Sequence, residues 1–242
     1  MAHGTKAYGR TLAQETIFGV QDMGELSARL GSIVTHDRRG NIIWYDDFEC
    51  GHMGKWGKAV VGVDSVVRLR TTYARNGAFS LYLYAGNAAG RSAEAYHYLP
   101  YPSLSKYGLE AWACLPSASN GFFYLGWYVY TGTEIHYYLI RYNPSAQDVD
   151  VCSTGLVWHT FATGLKTAIA GGFQVFKLVA DLITEKYARC IINQTEYDLS
   201  AYPAHTAANA SPASLMLDAK AYNITQALTV YLDDVIVTQN EP

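Results

Sequence analysis

From residue 42 to the end of the chain, apolar and polar residues alternate or form short apolar runs, which is the pattern of β-strands. Turn signals such as RNGA, PSASNG and NPSAQD separate the runs, and no helical periodicity lies between them. The predicted strands are 42–48, 65–72, 79–85, 93–99, 108–115, 121–131, 134–142, 148–153, 157–162, 173–183, 187–193, 214–221 and 228–238. This pattern predicts an all-β fold in which two antiparallel sheets pack as a sandwich.

Residues 1–40 lack this alternation and contain one short stretch with helical spacing. Met23, Leu26 and Leu30 recur at helical intervals, and a glycine follows as a C-terminal cap. We therefore predict an N-terminal arm over 1–40, with one short helix, and a β-sandwich domain over 41–242. The apolar residues of the arm need a surface that buries them, either on their own domain or on a neighbouring subunit. The residues expected to make subunit contacts are Leu12, Ile17, Phe18 and Leu26.

The predicted strands 121–131 and 134–142 carry aromatic residues on both of their faces. A sheet with one face in water shows polar residues at alternate positions, so the second face of these strands is covered by something. The arm, a neighbouring subunit and a ligand are three ways to cover it. Tyrosine and tryptophan rings suit sugar stacking and protein interfaces alike, so the alternatives stay open. The candidate residues for stacking against sugar rings, which we call platform residues, are Trp127, Tyr128, Tyr130 and Tyr138.

The composition supports a sizeable core and argues against two classes of partner. Half of the 242 residues are hydrophobic, only 16% are charged, and the formal net charge is −3. This balance gives no support for nucleic acid or an anionic membrane as the partner. No apolar run is long enough to span a bilayer, and the start of the chain lacks the apolar core of a Sec signal peptide.

The segment 173–200, FQVFKLVADLITEKYARCIINQTEYDLS, predicts a long strand, a turn and a return strand. Its Asp181, Tyr187 and Asn193 resemble a hairpin of concanavalin A-like lectins, glucanases and laminin G-like domains. Gln194 stands where that hairpin usually has glycine, so the turn after Asn193 is expected to differ. The resemblance implies a concanavalin A-like jelly roll. These families include lectins, enzymes and structural proteins, so it implies the fold rather than one function.

Acidic residues occur in both the first and the last predicted strand, as DDFE and YLDD. The two strands are similar to the outer strands of several carbohydrate-binding modules, in which first- and last-strand carboxylates hold a structural calcium ion. The resemblance implies Ca²⁺ as the one candidate cofactor, with Asp47, Glu49 and Asp234 as its ligands. The alternative interpretation is a sheet margin whose carboxylates face water and discourage edge-to-edge aggregation.

No catalytic constellation is recognisable in the sequence, and we predict that the protein is not an enzyme. Glucanases of this fold place their carboxylates in an E-x-D-x-x-E motif, which the chain lacks. It also lacks the H-E-x-x-H motif of zinc proteases and the G-x-S-x-G motif of serine hydrolases.

Two features concern covalent modification. The four cysteines lie far apart and are either buried thiols or disulfide partners. Asn193 and Asn223 each begin an N-glycosylation sequon, which matters only in a glycosylating compartment.

These observations favour a non-catalytic structural protein of a homomeric assembly, such as a virion shell, a tail or an extracellular filament, with the arm contacting neighbouring subunits. The N-terminal part also resembles the start of hypothetical virion-associated proteins of tailed phages, which implies a virion or extracellular location. The alternative is a lectin-like carbohydrate-binding module that uses the aromatic sheet face. A glycoside hydrolase or lyase comes third. The expected partners are other copies of the chain and glycans.

Overall fold

The computed structural model describes residues 35–166 and 169–242. Outside these residues lie the predicted arm helix and the predicted subunit-contact residues Leu12, Ile17, Phe18 and Leu26. The chain divides into two compact units, Met1–Arg38 and Arg39–Pro242, and the strands described below belong to the second unit.

The described residues form sixteen strands, and each pairing between them is antiparallel. In chain order they are β1 (Asn41–Asp46), β2 (Gly57–Val61), β3 (Val66–Arg70), β4 (Ser80–Tyr84), β5 (Ser92–Pro100), β6 (Lys106–Cys114), β7 (Gly121–Tyr130), β8 (Glu134–Asn143), β9 (Asp148–Ser153), β10 (Val157–Ala162), β11 (Gln174–Asp181), β12 (Lys186–Ile192), β13 (Thr195–Asp198), β14 (His205–Ala208), β15 (Ser214–Asn223) and β16 (Thr229–Gln239).

The strands form two sheets of eight. The first sheet has the order β13-β12-β11-β6-β16-β4-β3, and β1 also pairs with β16. The second sheet has the order β10-β9-β8-β7-β15-β5-β2, and β14 also pairs with β8. A single 3₁₀ turn, Thr154–Leu156, is the one helical element in the described part of the chain. The predicted all-β antiparallel sandwich is therefore confirmed.

The core lies between the two sheets and is built from alternate residues of each strand. On β7, the buried residues Phe123, Leu125 and Val129 are each at most 4% exposed. The ring of Phe123 meets that of Phe176 from the first sheet edge-on, with 6.0 Å between their centroids. Each large apolar side chain buried in this way stabilises the fold by about 1.5–3 kcal/mol.

One tyrosine hydroxyl joins the two sheets through backbone hydrogen bonds. The Tyr187 hydroxyl of β12 accepts a bond of 2.9 Å from the Leu139 N–H of β8. It lies 3.1 Å from the Tyr137 carbonyl, to which it donates. A buried hydroxyl is costly unless it is bonded, so these contacts explain how a tyrosine is accommodated in the core.

The hairpin that carries the family resemblance forms as expected. β11 ends at Asp181, β12 pairs with it, and a turn at Asn193 and Gln194 leads into β13. Asn193 adopts a φ of 55°, a left-handed conformation that asparagine tolerates better than most residues.

The four cysteines are free thiols in this structure: Cys114, Cys152 and Cys190 are buried and Cys50 is exposed. Within residues 35–166 and 169–242, no helix is long and apolar enough to cross a membrane.

Candidate functional site

The outward side of the second sheet carries a dense set of aromatic side chains that are only partly buried. They lie on β5, β7, β8, β10 and β15, at positions that alternate with the core residues of those strands. We call this surface the aromatic face, and its rings are Tyr96, Tyr98, Phe122, Tyr124, Tyr128, Tyr130, Tyr137, Trp158 and Tyr222.

Two of the four predicted platform residues, Tyr128 and Tyr130, lie on the aromatic face, and the other two do not. Trp127 and Tyr138 are each 1% exposed, and their rings stack on each other inside the core with 5.6 Å between centroids. The prediction that they form platforms is wrong, because neighbouring residues of a strand point to opposite faces of the sheet.

At the β9–β10 side of the aromatic face, a guanidinium lies between two aromatic rings. The Cζ atom of Arg141 is 4.1 Å from the ring centroid of Phe122 and 4.3 Å from that of Trp158. Its Nε donates to Asp150 Oδ2 at 2.8 Å. Tyr124 meets Trp158 edge-on at 5.6 Å. These cation–π and edge contacts hold the rings in place, so binding a ligand there costs little side-chain entropy.

A buried acid lies in the middle of the same face. Asp218 of β15 is 2% exposed, and it stands in register with Tyr96 of β5 and Gly126 of β7. Leu139 of β8 fills the space above Gly126, since its Cδ2 is 2.9 Å from where a Cβ of residue 126 would lie. The Oδ1 atom of Asp218 is buried and has no hydrogen-bond partner.

The environment of Asp218 favours its neutral form. Burial raises the pKa of this carboxyl well above its usual range, the Glu94 carboxylate raises it further, and the Lys220 ammonium opposes the shift. Lys220 Nζ lies 3.1 Å from Glu94 Oε2. Asp218 is not among the predicted site residues, although a lone carboxylate at an alternate position of the apolar strand SLMLDAKAY is a detectable signal.

Tyrosine side chains lie beside Asp218, and the hydroxyl of one of them, Tyr128, is held in its protonated form. Tyr128 meets Tyr137 edge-on at 4.9 Å, and Tyr137 lies 4.9 Å from the ring of His205. Burial raises the pKa of Tyr128, with the Asp218 carboxyl as the next contribution. A protonated phenol offers one donor and acceptor capacity, which suits hydroxyl-bearing ligands.

A carboxylate just after β1 and another on β16 hold the loop between β3 and β4. Glu49 accepts hydrogen bonds of 2.9 Å and 2.8 Å from the N–H groups of Ala78 and Phe79. Asp234 accepts a hydrogen bond from the Arg75 guanidinium, and the two form an ion pair. The acidic pairs therefore fix a loop from both sides.

This arrangement does not fit the calcium site that the resemblance implied. Asp234 Oδ2 also accepts a bond of 2.6 Å from the Asn76 amide, so donors surround this carboxylate oxygen rather than further oxygens. Calcium needs several oxygen ligands directed at one point, whereas Arg75 supplies the positive charge here. Among the residues that the structure describes, no group of three or more His, Cys, Asp or Glu side chains could hold a metal. Calcium binding by Asp47, Glu49 and Asp234 stays an untested prediction of the resemblance, and the contacts of Asp234 argue against it.

The two predicted sequons differ in accessibility. Asn223 is fully buried, and its Nδ2 donates to the Gly86 carbonyl at 2.7 Å, so glycosylation of the folded chain at this position is excluded. Asn193 lies on the turn before β13 and is only partly buried.

Two surface clefts lie away from the aromatic face. One, of about 360 Å³, is lined by residues of β6, β11, β12 and β13, with Lys106, Lys186 and Asp198 among them. The other, of about 430 Å³, lies beside Tyr73 in the loop between β3 and β4. Neither combines several rings with a buried unpartnered group, so the aromatic face is the stronger candidate.

No protein-family model matches the chain, and no curated protein sequence matches it either. Solved structures of many proteins share its fold, and three of them serve as examples. A carbohydrate esterase, vb_24B_21, from the Shiga toxin-encoding bacteriophage phi24B has 11% sequence identity and a TM-score of 0.54, and the match covers 84% of this chain and 100% of the esterase. An endo-β-1,4-glucuronan lyase from the fungus Trichoderma reesei has 11% identity and a TM-score of 0.53, over 82% of this chain and 96% of the lyase.

The third structure is lectin I-B4 from Griffonia simplicifolia, with 10% identity and a TM-score of 0.50 over 81% of this chain and 99% of the lectin. At these identities the likeness shows the fold alone, which is the concanavalin A-like jelly roll expected from the hairpin. The neighbours include enzymes and a lectin, so the fold leaves open whether this chain is an enzyme. The comparisons do not show the expected resemblance to tailed-phage virion proteins.

Proposed function

We propose that this protein binds a carbohydrate chain on its aromatic face. The observation that carries the proposal is a row of partly exposed rings across five strands of one sheet, held in place by Arg141 and by contacts with one another. Sugar rings present apolar C–H faces and hydroxyl edges, and tyrosine and tryptophan offer both an apolar ring and a polar group. The names of the esterase, the lyase and the lectin that share the fold support a carbohydrate ligand.

Binding is better supported than catalysis. A glycosidase needs an acid and a second carboxylate that both reach the scissile bond. Here Asp218 is 2% exposed, and Glu94 is paired with Lys220. An elimination reaction needs a base, and burial raises the pKa of Tyr128 away from that role.

Affinity gel electrophoresis against a panel of soluble polysaccharides tests the proposal. We expect retardation by at least one polymer, and a loss of about tenfold or more in affinity for Trp158→Ala and Tyr130→Ala. Tyr45→Ala is the matched control, because Tyr45 is a 48% exposed tyrosine on β1 of the other sheet. Equal loss in all three variants, or no retardation by any polymer, would contradict the proposal. Release of new reducing ends by the wild-type protein would favour an enzyme.

The structural role in a homomeric assembly is a separate prediction. It depends on the N-terminal arm, whose contact residues lie outside the described residues. Carbohydrate binding is supported by a specific surface, the aromatic face, and it is therefore the function that we propose first.

A further inference from the structure

The cations of the aromatic face are already paired within the protein. Arg141 donates from Nε to Asp150 Oδ2 at 2.8 Å, and their side chains are 20% and 13% exposed. Lys220 Nζ lies 3.1 Å from Glu94 Oε2, with side-chain exposures of 31% and 23%. A partly buried ion pair resists exchange of its partner, because the displaced carboxylate would be left unpaired in a poorly solvated place.

Acidic groups exceed basic ones on this surface. Asp148 lies on the same side of the sheet as Asp150, two residues along β9. The charged acids are Asp148, Asp150 and Glu94, whereas burial favours the neutral form of Asp218, so Asp218 adds no charge to this surface. A carboxylate ligand would approach these groups without meeting an unpaired cation among the described residues of the face. Desolvating a charge next to like charges is costly, whereas an uncharged hydroxyl loses little.

We infer that the ligand of the aromatic face is an uncharged polysaccharide, and that the face rejects polymers of uronic acids. The inference rests on the proposed function and names the class of ligand. In this picture the sugar rings stack on Trp158 and on the tyrosines of β5 and β7. The sugar hydroxyls donate to the carboxylates of Asp150 and Glu94, which have lone pairs beyond those used by their partners.

A matched pair of polymers tests the inference directly. Hydroxyethyl cellulose is an uncharged β-1,4-glucan, and oxidation of C6 in cellulose gives a β-1,4-polyglucuronate with the same backbone. Galactan, mannan and xylan extend the uncharged set, and galactan and mannan oxidised at C6 extend the charged set. We expect at least one uncharged polymer to retard the protein, and its carboxylated counterpart to bind at least about tenfold more weakly.

Variants that release a cation should relax this selectivity. Asp150→Asn removes the partner of Arg141, and Glu94→Gln removes that of Lys220, so each should bind the carboxylated polymers several-fold more tightly than wild type does. Glu196→Gln is the matched control, because Glu196 pairs with Arg39 at 2.6 Å on the first sheet. Circular dichroism checks that each variant is folded.

Each outcome separates the two proposals. Equal or tighter binding of the carboxylated polymers by the wild-type protein overturns the inference and leaves carbohydrate binding intact. Retardation by none of the polymers overturns both. If Asp150→Asn and Glu94→Gln bind the carboxylated polymers as weakly as the wild-type protein does, the pairing of Arg141 and Lys220 does not explain the selectivity.

Discussion

At the residue scale, the burial of Asp218 leads to a prediction about how the stability of the folded protein depends on pH. The folded chain holds this carboxyl at a pKa raised by burial, whereas the unfolded chain exposes it at an ordinary pKa near 3.9. The folded state thus binds more protons above pH ~4, so this residue costs stability as the pH rises from ~4 toward its folded pKa. The cost is absent below the unfolded pKa.

Asp218→Asn should therefore stabilise the protein at pH 8, because asparagine has no proton to lose in this buried place, and by much less at pH 4. Thermal unfolding of both proteins at the two pH values measures the difference. Glu134→Gln is a useful control, because Glu134 is an exposed carboxylate at the start of β8. A stability gain that is the same at both pH values would show that Asp218 does not titrate between them.

The division of aromatic residues between core and surface gives a second prediction at this scale. Trp127→Ala should lower the free energy of unfolding by about 3–5 kcal/mol, as large truncations in a packed core do. Tyr130→Ala should cost about 1 kcal/mol or less, because Tyr130 lies on the outward face. Trp127→Phe should retain most of the stability, since the buried indole Nε1 has no hydrogen-bond partner to lose. Urea unfolding ranks the three variants, and a cost for Tyr130→Ala as large as that for Trp127→Ala would place both rings in the core.

At the scale of strands and loops, alternation in the sequence predicted most of the architecture. It grouped Phe122, Tyr124, Tyr128 and Tyr130 on one side of β7 correctly. It did not predict which side faces the core, because both sides of that strand are aromatic and hydrophobicity does not distinguish them. Packing against the first sheet decides this, through contacts such as Phe123 with Phe176 that join distant parts of the chain.

Three strands were not predicted, and each has a local reason. The segment GKAVV of β2 is short and exposed, and β13 and β14 have only four residues each. Such strands form because a neighbouring strand supplies hydrogen-bond partners, as β8 does for β14, and not because of their own pattern. The burial of Asp218 likewise could not be predicted from its own strand, because its neighbours in register, Tyr96 and Gly126, come from strands that are distant in the sequence.

At this scale we make a prediction about Asp234, which pairs with Arg75 in the loop between β3 and β4. Asp234→Asn removes the charge that pairs with Arg75, and it should destabilise the protein by about 1–3 kcal/mol. Because Arg75 provides the positive charge beside Asp234, we expect calcium or a chelator to change the melting temperature by less than ~1 °C. Thermal unfolding with and without calcium measures this for wild type and variant. A rise of several degrees with calcium in the wild type alone would instead support the metal site implied by Asp47, Glu49 and Asp234.

At the scale of the whole molecule, the described unit has a natural boundary for truncation. β1 begins at Asn41, and Arg39, two residues earlier, already contacts the sandwich. The Arg39 carbonyl accepts a hydrogen bond of 3.2 Å from Lys177, a lysine that is fully buried and pairs with Glu241 at 2.7 Å. Removing the acceptor of a buried charge is costly, so residue 39 belongs with the sandwich and a truncated chain should keep it.

A chain lacking residues 1–38 should therefore fold with the circular dichroism spectrum of a β-sandwich and run as a monomer in light scattering, if the arm supplies the subunit contacts expected from its apolar residues. The full-length protein should then be larger than a monomer at the same concentration. A chain lacking residues 1–40 is the matched comparison, and it should melt at a lower temperature because Lys177 loses the Arg39 carbonyl. A monomeric full-length protein at high concentration would contradict the assembly prediction, but carbohydrate binding would survive, since its residues all lie between β5 and β15.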